Sequence, residues 1–333
     1  MNIDKRSVQW LQRIMRLMML FTGCILASCI VHLGIVFDWF TPHRSTSFAG
    51  ERKKQLDSNN GVWQAPDLST VSETKEGALI RYGRELVEHT AFYLGPEGTV
   101  DKVSNGMNCQ NCHLAGGTRP FGNNYGAVAS RYPKFRNRSG TVEGFEKRIN
   151  DCFQRSLNGV GLKETSREMK AMVAYLRWVG KDVTKDESPK GFGFVTLSPL
   201  DRPADPVRGK TAYVTFCARC HGTGGEGEKA GEQPEWKYPP LWGSQSYNTG
   251  AGLYRLSKFA AFIKANMPFG ITHENPLLTD EEAWDIAAFV NSMPRPHKEF
   301  PGDWPDLSKK PKDHPFGPYA DERSEKEHKY GPW

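Results

Sequence analysis

The chain has 333 residues, of which 38% are apolar and 25% charged, and its net charge is +6 with neutral histidines. This length predicts about two domains, and the apolar content excludes a chain that is disordered throughout. The mild positive charge suits an anionic substrate or an acidic partner, but no long basic stripe with interleaved aromatics predicts nucleic-acid binding.

Residues 1–44 are predicted to form a membrane anchor or an export signal. Four basic residues precede an apolar run over 17–37, which is long enough to span a bilayer as a helix. This order predicts an N-terminus in the cytoplasm and a chain on the extracytoplasmic (periplasmic) face of the membrane. We favour an uncleaved anchor because the apolar residues continue to Phe40. The alternative is a lipoprotein, since Leu26-Ala27-Ser28-Cys29 resembles a cleavage box that would leave Cys29 lipid-modified.

Composition then divides the rest of the chain. A segment rich in Ser, Asn, Lys and Pro is predicted to be a tether, and an interval with several prolines and glycines predicts a linker between two halves. The last part is Pro-rich and charged and is expected to lie extended on the surface. The predicted boundaries are 45–73 for the tether, 74–190 for the first domain, 191–206 for the linker, 207–295 for the second domain and 296–333 for the tail.

Two Cys-x-x-Cys-His motifs carry the strongest chemical signal, Cys109-Cys112-His113 and Cys217-Cys220-His221. Two thiols at this spacing can each form a thioether with a haem vinyl group, and the following histidine can bind the iron. A zinc or redox Cys-x-x-Cys site is the alternative, but the recurrence of the adjacent histidine in both halves argues against it. The motifs therefore predict two covalently bound haem c groups.

The two halves repeat one helical plan. Each has a helix before its motif, predicted over 75–93 and 207–216, and each closes with an amphipathic helix. Capping boxes are predicted at the start of the closing helices, Thr165 with Glu168 and Thr279 with Glu282. Crossed first and last helices around a haem are typical of class I cytochrome c. We therefore predict a mainly α fold with two such domains in tandem, few strands, and an N-terminal membrane helix.

Each iron needs a ligand on its second face. In the second half, Met267 lies in the loop sequence ANMPFG, 12 residues before Thr279, and a methionine before a proline suits this role. A core methionine is the alternative reading, and rival ligands are Lys264, Lys258 and His273.

In the first half, Cys152 occupies the corresponding place, 13 residues before Thr165. The repeat thus predicts Cys152, as a thiolate, to be the distal ligand of the first haem. A buried free cysteine is the alternative, in which case Met107 or Met169 would be candidate ligands. A thiolate lowers the reduction potential and a thioether raises it, so electrons are expected to pass from the first haem to the second.

Polar residues lie at helical spacing from Cys152. Arg148, Arg155 and Ser156 would share its face of a helix. Guanidinium groups near a thiol lower its pKa and can hold an oxyanion, so these residues are predicted to be catalytic. An arginine cluster that binds haem propionates is the alternative.

At these residues the sequence resembles the dihaem thiosulfate dehydrogenases, from about Gly77 through the tail. The resemblance rests on NGMNCQNCHLAGGT, RINDCFQRSLNG, SREMKAMVAYLRWVG, ANMPFG and the ending KPKDHPFGPYADERSEKEHKYGPW. It implies that His113 and Cys152 ligate a catalytic haem, that Arg148 and Ser156 line the substrate pocket, and that His221 and Met267 ligate an exit haem.

The resemblance also implies an activity, the oxidation of two thiosulfates to tetrathionate, which some members of the family favour in reverse. The expected electron acceptor is another cytochrome or a membrane oxidase complex. The N-terminal anchor departs from the typical soluble member. Two alternatives are an electron-transfer cytochrome with no substrate of its own, and a sulfur-carrier cytochrome that conjugates thiosulfate to a partner protein.

Overall fold

The computed structural model describes residues 61–333 and five helical positions between Arg13 and Thr22. Within this described part of the chain, no helix is long and apolar enough to cross a membrane. The predicted anchor over 17–37, Cys29 included, lies outside the described residues except for Met18, Met19 and Thr22.

Gly61–Trp333 form one structural unit that contains both halves and is mainly helical, as predicted. The helices of the first half are α1 Lys75–Glu88, α2 Thr90–Leu94, α3 Leu114–Gly117, α4 Val128–Arg131, α5 Phe145–Arg155 and α6 Arg167–Val179. Those of the second half and the tail are α7 Pro206–Phe216, α8 Ala218–His221, α9 Leu256–Asn266, α10 Asp280–Ser292 and α11 Glu325–Tyr330.

Strands are few and short. β1 Lys134–Arg136 pairs antiparallel with β2 Thr141–Glu143, with Phe135 opposite Val142. In the second half, β3 Glu228–Lys229 pairs antiparallel with β4 Trp236–Tyr238. The first hairpin comes directly before α5, the helix that carries Cys152, and so places its turn near that helix.

In the first half, α1 packs closely against α6. A side chain cannot fit at the contact, because a Cβ built on Gly83 would lie 2.0 Å from the carbonyl oxygen of Ala171. The predicted Thr165–Glu168 capping box is wrong by one residue. Ser166 is the cap and its hydroxyl accepts a bond from the Met169 N–H, while Glu168 accepts a bond from the Tyr82 hydroxyl at 3.1 Å.

The second half repeats this arrangement with α7 and α10. A Cβ on Gly209 would lie 1.8 Å from the carbonyl oxygen of Asp285, so the two backbones touch. Here the predicted capping box is confirmed, since the Thr279 and Glu282 side chains each accept a bond from the other's backbone N–H. The shared geometry explains why both halves have the same succession of helix, motif and closing helix.

The first predicted helix, over 75–93, is interrupted at His89, where φ is −124° and ψ is 41°. The reason is tertiary, because the N–H of Ala91 donates to the Asn108 side-chain oxygen at 2.8 Å instead of continuing the helix. Thr90 accepts a bond from the N–H of Cys109 at 2.9 Å. The break therefore ties the end of this helical stretch to the first motif.

Two of the segments predicted to lie outside the domains, the tether and the tail, make specific contacts. Val71, in the predicted tether, is buried in the first core. The tail is not simply extended, because Ser324 and Glu327 form a capping box at the start of α11 and a short 3-10 helix spans Leu307–Lys309. The side-chain hydrogen bonds at this cap satisfy backbone N–H groups at the start of α11 and so stabilise this short helix.

We expect the Gly209→Ala substitution to lower the free energy of unfolding by about 2 kcal/mol. The methyl group would collide with the backbone of α10, and this overpacking outweighs the helix propensity of about 1 kcal/mol that Ala gains over Gly. Denaturant unfolding of the haem-loaded protein would measure the change. Gly302→Ala is the control, because nothing lies within 4 Å of its added Cβ, and equal stability of both variants would contradict the prediction.

Candidate active site

A cavity of about 430 Å³ lies in the first half. The first motif lines it through Cys109, Cys112 and His113, and α5 contributes Cys152. Residues of the second half, among them Tyr247 and Leu253, complete the wall. The apolar part of the lining includes Val87, Met107, Ile149, Phe153, Met172 and Leu176.

His113 is held in one tautomer. Its Nδ1–H donates to the backbone carbonyl of Asn123, and its ring packs against Tyr125 with centroids 4.5 Å apart. Burial lowers the pKa of His113 to about 4, so the ring is neutral near pH 7. No described residue bonds to Nε2, and a neutral imidazole whose other nitrogen is anchored is the form that binds a metal.

These features fit haem c. Two thiols three residues apart can be attached to the macrocycle, a neutral imidazole can bind the iron, and the apolar walls suit a porphyrin. Cys109, Cys112 and His113 would therefore hold the group in this cavity. Of the alternative ligands to Cys152, Met107 lines the cavity, whereas Met169 is fully buried in the first core and is not part of the lining.

Helix α5 brings the predicted polar residues together. Cys152, Arg148, Arg155 and Ser156 all line the same cavity. The nearby Cys152 sulfur is the main cause that raises the pKa of Arg148, so the two side chains lie close together in the cavity. Among the described residues no carboxylate forms an ion pair with Arg148, and its charge remains available to an anion.

Arg155 differs from Arg148 because its charge is already paired. Both of its terminal nitrogens donate to Asp303 at 2.7 Å, and its guanidinium lies 3.6 Å from the centre of the Phe300 ring. Only 5% of Arg155 is exposed. It forms part of the cavity wall, and its predicted contact with substrate stays a prediction.

Arg138 is a cavity residue that the sequence reasoning did not identify. It lies in the turn of the β1–β2 hairpin, and its Nε is buried with no hydrogen-bond partner in the described chain. Burial, together with the neighbouring cations Arg155 and Arg148, lowers the pKa of Arg138 to about 10. An unpaired cation in such a place is costly unless an anion joins it.

The second half holds its motif in a similar way. His221 is buried, and its Nδ1–H donates to the carbonyl of Pro239 at 2.9 Å. Cys217 and Met267 both pack against the core of this half, and Met267 follows the last residue of α9. His221 and Cys217, together with Cys220 as the other attachment thiol, are the residues that would hold a second haem c.

The rivals of Met267 have other surroundings. The Lys264 ammonium donates to the carbonyl of Leu278 and pairs with Asp280, both at 2.7 Å. Lys258 lines the cavity of the first half, and His273 packs against Phe121 with ring centroids 4.5 Å apart. Lys264 would therefore have to break two contacts before it could bind a metal.

Comparison with known proteins agrees with this geometry. Residues 206–294 match the family Cytochrome c, and residues 99–184 match the family described as SoxA/TsdA, cytochrome c domain. The thiosulfate dehydrogenase of Psychrobacter arcticus is 37% identical over 72% of this chain and 71% of its own length. The chain belongs to the thiosulfate dehydrogenase family. The thiosulfate dehydrogenase of Allochromatium vinosum is 38% identical over 69% of this chain and 83% of its own.

A solved structure shows the same fold. The thiosulfate dehydrogenase (TsdBA) from Marichromatium purpuratum, in its as-isolated form, superposes with a TM-score of 0.63 at 33% identity. The match covers 70% of this chain, which spans about half (49%) of the chain of that structure. Membership in the family confirms the prediction of two cytochrome c domains that bind haem c.

Residues of the second half also support α5, and the sequence did not predict this contact. Asn248 is fully buried, its N–H donates to the carbonyl of Arg155 at 3.1 Å, and its side chain donates to that of Gln154 at 2.8 Å. These carbonyls belong to the last turn of α5 and have no partner within the helix. Each half of this thiosulfate dehydrogenase family member therefore helps to build the cavity.

Proposed function

We propose that the chain oxidises two thiosulfate ions to tetrathionate in the cavity of the first half. The observation that carries the proposal is the placement of Cys152 beside Arg148 in the same cavity as the first haem-attachment motif. The relatives named thiosulfate dehydrogenase support the substrate. An electron carrier without a substrate has no need of a thiol and unpaired guanidinium groups in a shared cavity.

The chemistry follows from the thiol. The Cys152 thiolate and the terminal sulfur of one thiosulfate form an S–S bond and release two electrons. The terminal sulfur of a second thiosulfate then attacks the sulfur that is bonded to the Cys152 sulfur. This step releases tetrathionate and restores the Cys152 thiolate. The reaction is nucleophilic catalysis by a thiolate, and the same steps in reverse convert tetrathionate to two thiosulfates.

The cations of the cavity have the role of binding the anionic substrates. Arg148 and Arg138 lack a carboxylate partner among the described residues, so they can bind the sulfonate oxygens of the anionic substrates. Ser156 lies at the end of α5 and can donate its hydroxyl to the same oxygens. Haem c, held by the two Cys-x-x-Cys-His motifs, would supply the acceptor for the two electrons, which would then pass to another cytochrome or a membrane oxidase complex.

We further propose Cys152 and Met267 as the distal ligands of the first and second haems. The thiolate sets a low potential and the thioether a high one, which favours electron flow toward the second half. The packing of Met267 and Cys217 against one core supports this assignment.

Cys152→Met should retain two covalently attached haems but lose tetrathionate formation. A thioether can bind iron but cannot form the S–S adduct, whereas attachment needs only the four motif cysteines. The assay uses purified protein, thiosulfate and an artificial electron acceptor, with tetrathionate as the product measured, and mass spectrometry counts the haems. Near-normal turnover of the variant would exclude Cys152 as nucleophile, and an inactive wild type would favour an electron carrier or a sulfur-carrier-conjugating cytochrome.

Met267→Gly should remove the weak near-infrared absorbance band of a ferric thioether and lower the potential of the second haem. The reason is that Gly offers no donor to the iron. Lys264→Ala is the control, because its ammonium is held by Leu278 and Asp280. A band that persists in Met267→Gly and disappears in Lys264→Ala would assign the ligand to the lysine.

We propose that residues 1–44 hold the protein on the periplasmic face of the cytoplasmic membrane, on the strength of the apolar run after a basic segment. Replacement of these residues by a cleavable export signal should give a protein in the soluble fraction with unchanged turnover. Membrane fractionation and the tetrathionate assay would measure both. Retention of the shortened protein in the membrane would assign the anchoring to another surface.

A further inference from the structure

A short part of the tail lies against the cavity arginines. We call Phe300–Trp304 the strap. The strap is folded back on itself by a bond from the N–H of Asp303 to the carbonyl of Phe300 at 2.9 Å. Trp304 is 9% exposed, and its indole N–H donates to His314 at 3.2 Å, which fixes the strap to the rest of the tail.

The strap contacts the Arg155 guanidinium at its edge and on its plane. Asp303 accepts both terminal nitrogens in a bidentate pair, and the Phe300 ring covers the guanidinium plane at 3.6 Å. Such a pair fixes the orientation of an arginine as well as its charge. Arg155 cannot turn toward the cavity without breaking both charged bonds, so it acts as a fixed part of the wall.

The strap also holds Arg138. The Trp304 N–H donates to the Arg138 carbonyl at 2.6 Å, and the guanidinium lies 5.8 Å from the centre of the Trp304 ring. The turn of the β1–β2 hairpin also packs closely against Pro305, the residue after the strap. A Cβ on Gly140 would lie 2.6 Å from the Pro305 ring. One segment of the tail thus fixes the backbone of one cavity arginine and the side chain of another.

We propose that Asp303 is a positioning residue for anion binding, and that the strap sets the geometry of the thiosulfate site through Arg155 and Arg138. The proposal rests on the proposed function of the same cavity. Asp303 neutralises the charge of Arg155, so Arg155 does not act as a third buried cation that repels Arg138. The Arg138 guanidinium then stays where a sulfonate can reach it. Without the Asp303 carboxylate, Arg155 keeps only the longer ion pair of its Nε with Asp151 at 3.8 Å, so its buried charge is poorly compensated and displaces its neighbours.

The test compares Asp303→Asn, Asp303→Glu and Phe300→Leu with the wild-type holoprotein. Asp306→Asn is the matched control, because this carboxylate is exposed on the same tail and, among the described residues, its side chain accepts hydrogen bonds only from Ser308. Steady-state assays give kcat and KM for thiosulfate, and calorimetry gives the dissociation constant of inorganic sulfate for the ferric protein. Sulfate serves as an anion that does not react.

We expect Asp303→Asn to raise KM about tenfold, which corresponds to roughly 1.4 kcal/mol, with kcat within about threefold of the wild type. Sulfate binding should weaken by a similar factor. Asp303→Glu should recover most of the loss, since it restores the charge, and Phe300→Leu should raise KM about threefold because Asp303 still holds Arg155. Asp306→Asn should match the wild type in both measurements.

Unchanged KM and unchanged sulfate affinity in Asp303→Asn would overturn the proposal. A fall in kcat alone, with KM and sulfate affinity unaltered, would also overturn it. If the wild type binds sulfate but forms no tetrathionate, the proposed function fails while the sulfate comparison still decides the role of Asp303. If the wild type binds no sulfate and Asp303→Asn leaves KM unaltered, the strap has no part in anion binding.

Discussion

The direct contact of two helix backbones in each half is the constraint on which the rest of the structure depends. Gly83 and Gly209 have no side chain, and each lets its helix reach a carbonyl of the closing helix, that of Ala171 or Asp285. Larger residues would separate the helices, and the loop that carries each motif would then lose its support. Because the contact is repeated, the two halves present their motif histidines in the same way, with Nδ1 bonded to a backbone carbonyl.

The cavity of the first half is not built by that half alone. Its helix α5 ends against Asn248 of the second half, and its hairpin turn and Arg155 are held by the strap. A cytochrome c fold supplies a haem pocket, but an oxyanion needs cations at fixed positions. The second half and the tail supply that fixation, so residues outside the first half help to set the positions of the cavity cations.

The arginines of the cavity divide into two groups by their partners. Arg155 is paired with Asp303 and packed against a ring, whereas Arg148 and Arg138 form no ion pair with a carboxylate among the described residues. In the proposed reaction, their charges would be balanced by the Cys152 thiolate and by the anionic substrate. A buried thiolate and buried cations would each carry a large desolvation cost without the other.

The sequence by itself determined the two haem motifs, the repeated helical plan and the place of Cys152 relative to Met267, because these depend on local spacing and helical period. It also brought Arg148, Arg155 and Ser156 to one face, since one helix carries them. Tertiary structure alone decided the break at His89, the cap at Ser166, the entry of Arg138 into the cavity and the pairing of Arg155. The partner of Arg155 lies 148 residues away along the chain, and no local pattern encodes a contact between segments so far apart.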